Sequence, residues 1–200
     1  MAGSVVFNQK NSQDIARIKL QPEKCALVVV DIQEKLLPPI HEKERLVRNA
    51  KLLLRLAGIL KLPVLATTQY AKGLGHTVPE IAELLPQVEV IDKLQFGCFA
   101  NDAFRASLQG LPGKRDTVLL CGMETHICVM QTALGALNQG YAVHVAADAV
   151  GSRTAMNWQI GLERMQAAGA IVSSSETMIY ELLGGSGGKA FKQMLPYLKG

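Results

Sequence analysis

Two hundred residues are enough to bury a full core, and with no internal repeat in sight the chain is expected to form one domain over 1–200. Of these residues 48% are hydrophobic and only 5% aromatic, which excludes a disordered or fibrous chain and suits a Val/Leu/Ala-rich α/β protein. The formal charge of +4 comes from scattered lysines and arginines, so no nucleic-acid partner is expected, and no apolar run is long enough for a signal peptide or a membrane span, so a cytoplasmic chain without a membrane partner is expected.

In chain order, the run 24–31, KCALVVVD, is apolar on both faces, as a strand covered from both sides must be, and it ends in Asp31. Pro38 and Pro39 forbid an immediate helix; Leu46, Leu53, Leu56 and Leu60 then share one face of a helix over 42–60. A second strand, 63–67, leads into a glycine-bearing loop, 69–78, long for such a connection and therefore a candidate lid or substrate wall. Pro79 opens a short helix to Leu85, and 88–91 reads as the third strand. Asn101 caps a helix through Leu108. Val118 to Leu120 is the apolar centre of a fourth strand that breaks at Gly122, after which Thr125 is placed as N-cap and His126, Ile127 and Cys128 as the first helical turn. Gly140 stops that helix before a fifth strand, 141–147, which ends at Asp148. Ser152 or Thr154 starts the next helix, Gly169 stops it, and 170–173 is the sixth strand. A helix over 175–183 closes a core of about 20–183, and a glycine-rich link leads to a helical extension within 184–200.

Six alternations of strand and helix predict an α/β three-layer sandwich, a six-stranded parallel sheet with helices on both faces. Right-handed crossovers bring every strand's carboxyl end to one edge, where such folds bind ligands. Asp31, Lys93 and Cys128 all fall at or just past such ends. A helical first turn offers Cys128 free N–H groups and a positive dipole end, which would favour thiolate over thiol, although a cysteine between Ile127 and Val129 is also an ordinary small hydrophobe. A carboxylate at the same edge can take a thiol proton, and a lysine beside both can stabilise negative charge. Cys25, Cys98, Cys121 and Cys128 contain no C-x-x-C pair and are read as free thiols.

The strings VVDIQ at 29–33, DK at 92–93 and CGMETHICV at 121–129 resemble the isochorismatase-like cysteine hydrolases over almost the whole chain. That resemblance implies a Rossmann-like fold, a homo-oligomer, no cofactor, and a triad of Asp31, Lys93 and Cys128. It further implies a cis peptide at Met123–Glu124, with the backbone N–H groups of Glu124 and Cys128 forming the oxyanion hole. Cys128 argues against the vinyl-ether cleavage of isochorismatases proper, which lack this thiol. The Asp/His metal site of nicotinamidases has only His76 and Glu80 to match it, so no metal is expected. The 69–80 string looks instead like the isochorismatase domain-containing group.

The expected activity is metal-independent hydrolysis of a small amide or related C–N bond through a thioester. Gln33, Tyr70, Phe96 and His126 are candidate substrate walls, with Phe96 alternatively core and His126 alternatively solvent-facing. A rival reading is a catalytically idle binding or assembly module; a third is redox sensing through a Cys121–Cys128 disulfide. Ile160, Leu162 and Met165 are candidates either for a subunit interface or for a core face.

Overall fold

The strands β1 (Cys25–Val30), β2 (Val64–Gln69), β3 (Val90–Lys93), β4 (Thr117–Met123), β5 (Ala142–Gly151) and β6 (Ile171–Ser173) form one all-parallel sheet in the order β3-β2-β1-β4-β5-β6. They belong to a computed structural model that describes residues 19–85 and 87–199. The long helices are α1 (Lys43–Leu60), α4 (Asp102–Gln109), α5 (Met130–Asn138), α6 (Ala155–Ala167), α7 (Ser175–Leu183) and α8 (Lys189–Leu198), with short turns of helix α2 (Ala71–Leu74) and α3 (Pro79–Ala82) after β2. This is the six-stranded parallel α/β sandwich that the alternation of elements predicts.

β1 shows why a central strand must be apolar on both sides. Cys25, Leu27 and Val29 pack into one core with Leu46, Leu53 and Leu56 of α1 and with Met178 and Ile179 of α7. Ala26, Val28 and Val30 pack into the other, with Phe104 of α4, Ala133 of α5 and Met165 of α6. Helix starts follow local chemistry: the Asn101 side chain accepts the Phe104 N–H at 3.0 Å and the Thr154 hydroxyl accepts that of Asn157 at 3.2 Å, so Thr154 rather than Ser152 is the cap. In the C-terminal segment α8 lies on α1 and buries Met194 completely.

Three departures bear on the edge where the carboxyl ends meet. β2 runs on through Thr68 and Gln69, and β3 starts two residues late, so that Gln69 pairs with Lys93 and Lys93 is the last residue of its strand. The supposed lid begins with helix α2 and is tied down: Glu34 and Val78 donate backbone hydrogen bonds to His76 and Ile32, and Lys35 reaches the Gly73 carbonyl at 2.9 Å. It is a wall. β5 is longer than its hydrophobic run, continuing to Gly151 past a register shift opposite Leu120 and Gly122. Among the described residues, no helix is long and apolar enough to cross a membrane.

Candidate active site

β1 ends at Val30, level with Thr67 of β2 on one side and Gly122 of β4 on the other, so the next residue enters the middle of the sheet's carboxyl edge. That residue is Asp31, fully buried and in the left-handed region at φ 51°. Its two oxygens are held separately. Thr67 donates its hydroxyl to Oδ1 at 2.7 Å, and Lys93 donates Nζ to Oδ2 at 2.6 Å. Lys93 is itself buried and donates again to Gln69 Oε1 at 3.1 Å, while the Gln69 amide nitrogen is fixed on the Leu94 carbonyl at 2.9 Å. A buried charge is tolerated only when paired and hydrogen-bonded, and each partner here supplies that to the other.

Cys128 arrives from β4 by a different device. The Met123–Glu124 peptide is cis, and the chain then forms a single wide π-type turn, Thr125–Val129, before α5. Gly122 precedes it at φ 123°, so close to β1 that a Cβ there would lie 2.0 Å from the Val30 carbonyl oxygen. From below, α6 presents Gly161, where a Cβ would come within 2.9 Å of the backbone of Thr125 and His126. Glu124 ends the strand as a brace, its carboxylate accepting the backbone and side-chain N–H groups of Arg153 at 3.0 and 3.1 Å. The Thr132 hydroxyl donates to the Cys128 carbonyl at 2.7 Å and accepts the Cys98 N–H at 3.0 Å, tying the turn to the loop after β3.

Two sequence expectations about this turn need correction. Thr125 is not the N-cap: that position belongs to Glu124, and the Thr125 hydroxyl is buried without a hydrogen-bond partner. Nor does the turn lower the thiol pKa. Burial pushes the Cys128 thiol well above the ordinary thiol range, the Asp31 carboxylate pushes it further as a charge and as a hydrogen-bond acceptor, and Lys93 pulls the other way. Burial and the Asp31 carboxylate thus favour the thiol over the thiolate at Cys128. Cys98, behind Thr67, is pushed up to about 11, again by burial first.

Among the other predicted site residues, Gln33 is fully buried and its amide is spent on backbone: Nε2 donates to the Gln69 and Gly75 carbonyls at 3.1 and 2.7 Å, and Oε1 accepts the Gln69 N–H at 2.7 Å. Tyr70 and Phe96 are 47% and 54% exposed, which removes the core alternative for Phe96. The His126 ring is half-buried, with Nδ1 3.0 Å from the Ser152 hydroxyl. Leu162 and Met165 are core residues, so of the interface candidates only Ile160, 44% exposed, remains on the surface. Cys121 points into the core opposite to that of Cys128, and all four cysteines are free. Among the described residues, no three His, Cys, Asp or Glu side chains gather as a metal site would require. Thr67, Gln69 and Thr132 had no sequence signal, because each acts through contacts across the sheet edge or a helical turn.

A parallel α/β sheet thus carries a buried Asp–Lys pair and a cysteine turn together at its carboxyl edge. The Isochorismatase domain matches residues 25–177. A secreted isochorismatase effector, Isc1 of Phytophthora sojae, is 38% identical over 90% of this chain and 87% of its own, and isochorismatase domain-containing protein 2 of Rattus norvegicus is 37% identical over 90% and 84%. Among solved structures, the MAR1 ribonuclease of Caenorhabditis elegans superposes with a TM-score of 0.85 at 36% identity, covering 91% of this chain and 93% of that one. The YcaC gene product of Escherichia coli, described as an octameric hydrolase of unknown specificity, gives 0.83 at 25% identity over 91% and 94%. The chain belongs to the isochorismatase domain family of hydrolases. One of these relatives is secreted, so membership alone does not imply a cytoplasmic location.

Proposed function

We propose that the chain is a metal-independent cysteine hydrolase of a small amide or related C–N bond, working through Cys128, Asp31 and Lys93. The observation that carries the reading is the buried Asp31–Lys93 pair, 2.6 Å apart, whose carboxylate faces the buried Cys128 thiol. Such a thiol needs a base at the moment of attack, and Asp31 is that base. Its carboxylate takes the Cys128 proton as sulfur bonds to the substrate carbonyl carbon, and the carbonyl oxygen becomes an oxyanion received by the backbone N–H groups of Glu124 and Cys128. The intermediate collapses by breaking the C–N bond, and the amine leaves with the proton that Asp31 held. Asp31 then takes a proton from water as the water oxygen bonds to the thioester carbon; the C–S bond breaks, the carboxylic acid leaves, and Asp31 returns its proton to the Cys128 sulfur. Lys93 keeps the carboxyl group of Asp31 in place through the cycle. Tyr70, Phe96 and His126 stand as rim contacts for the substrate, and a homo-oligomer is the proposed assembly, supported by the octamer described for the YcaC relative.

The test is a panel of small amides, imides and ureides read by ammonia release, run with and without a chelator and with a single-stranded RNA arm. Turnover of at least one C–N substrate, unchanged by chelation and absent in Cys128→Ser, is the expected result. Turnover of RNA alone would overturn the substrate class, and no turnover at all would favour the idle binding module.

A further inference from the structure

Asp31 is gripped from two sides, and only one grip, Lys93, belongs to the triad. The other is Thr67, which is 1% exposed. A threonine hydroxyl has one proton to give and two lone pairs with which to accept. That proton goes to Asp31 Oδ1 at 2.7 Å, because an ionised carboxylate only accepts. The 3.8 Å contact between Thr67 Oγ1 and Cys98 Sγ must then run the other way, with the thiol as donor. Burial keeps Cys98 protonated, which is what this direction requires. The result is a chain of donors, Cys98 to Thr67 to Asp31, lying opposite the Lys93 bond. A hydroxyl that accepts a hydrogen bond donates a stronger one, so Cys98 reinforces the grip of Thr67.

Resting on the triad reading above, we infer that Thr67, backed by Cys98, is a positioning residue that fixes the Asp31 carboxylate toward the Cys128 thiol. Lys93 holds one oxygen and would leave the carboxyl plane free to turn about that bond. With Oδ1 held by Thr67 as well, the carboxylate has one orientation, and its remaining lone pairs are available to the thiol. Thr67 touches no substrate in this role. It acts only through Asp31.

The inference is tested without a known substrate, from the pH-independent part of iodoacetamide labelling of Cys128 at about pH 6 to 8, read by intact mass and peptide mapping; this part needs Asp31 to take the proton, whereas the thiolate path, which Asp31 disfavours, rises about tenfold per pH unit and is subtracted. Thr67→Val keeps the shape and removes the donor, and a hydrogen bond to a charged group lost in this way is expected to slow labelling by about tenfold or more. Thr67→Ser, which keeps the hydroxyl, is expected to stay within about threefold of wild type. In an Asp31→Asn background, Thr67→Val should add no further slowing, since the group it positions is already gone. Wild-type labelling in Thr67→Val, equal slowing in Thr67→Ser, or slowing that persists beside Asp31→Asn would each overturn the inference while leaving the triad standing. If Asp31→Asn alone fails to slow labelling, it is the triad reading that falls, and this inference with it. Should Thr67→Val not fold, Thr67→Ala is read by the same criteria.

Discussion

The two halves of the active edge are held by different physics. On the β1–β2–β3 side, Asp31 and Lys93 are buried and fixed by side-chain hydrogen bonds, with Thr67 and Gln69 as the outer partners. On the β4–β5 side, Cys128 is fixed by backbone shape, with Gly122 pressed against Val30 and Gly161 pressed under Thr125 and His126. The first half should fail when charge or a donor is removed, and the second when volume is added. One half is electrostatic and the other steric.

The largest effect is expected on the electrostatic side. Lys93→Met keeps much of the volume but leaves the Asp31 carboxylate buried without its cation, and breaking a buried pair this way costs about 3–5 kcal/mol. Urea unfolding should show the unfolding free energy falling by that amount, the midpoint dropping by that loss divided by an unchanged slope. A variant as stable as wild type would mean the pair is not the buried anchor it is taken to be.

A smaller loss is expected on the steric side. Gly161→Ala puts a methyl group 2.9 Å from backbone that has no flexible end to move, and overpacking of this kind costs about 1–3 kcal/mol. Because the strain falls on the Cys128 turn, iodoacetamide labelling should slow as well, while Gly58→Ala, which meets nothing within 4 Å, should leave that rate unchanged. Equal rates in Gly161→Ala and wild type would show the turn to be softer than the packing implies.

A third test divides the molecule by pH. Cys25 and Cys98 are raised from 9.0 to about 11, and Cys121 to about 12, mainly by burial. The folded chain keeps these protons where the unfolded chain releases them, so the thiol contribution is complete below about pH 9 and is lost as pH rises through 11. Melting temperature should hold flat up to about pH 9 and then fall, and replacing Cys121 by Ala should reduce the slope of that fall. A flat profile to pH 11 would contradict the burial-driven shifts.

The same division explains what the sequence made legible. Apolar runs, the Asn101 and Thr154 caps and the Gly140 and Gly169 stops are local signals, and they placed the elements well enough to bring Asp31, Lys93 and Cys128 to one edge. The ends of β2 and β3 were less legible, because the pairing of Gln69 with Lys93 is decided across strands. Thr67 and Gln69 had no local pattern at all, since their partners lie 36 and 24 residues away. The thiol was misread for a related reason: a helix start is written in the sequence, whereas burial and the facing Asp31 arise only on folding. Leu162 and Met165 show the same limit, since an apolar helix face does not say whether a sheet or a second subunit covers it.

The most direct test is Asp31→Asn on the first substrate the amide panel yields. The substitution keeps size and much of the hydrogen bonding but removes the base, so turnover should fall by about 10²–10⁴-fold while substrate binding persists. Because the same carboxylate activates water in the second step, intact mass should also reveal any acyl group stranded on Cys128. Turnover by Asp31→Asn near the wild-type rate would contradict the claim that Cys128 gives its proton to Asp31.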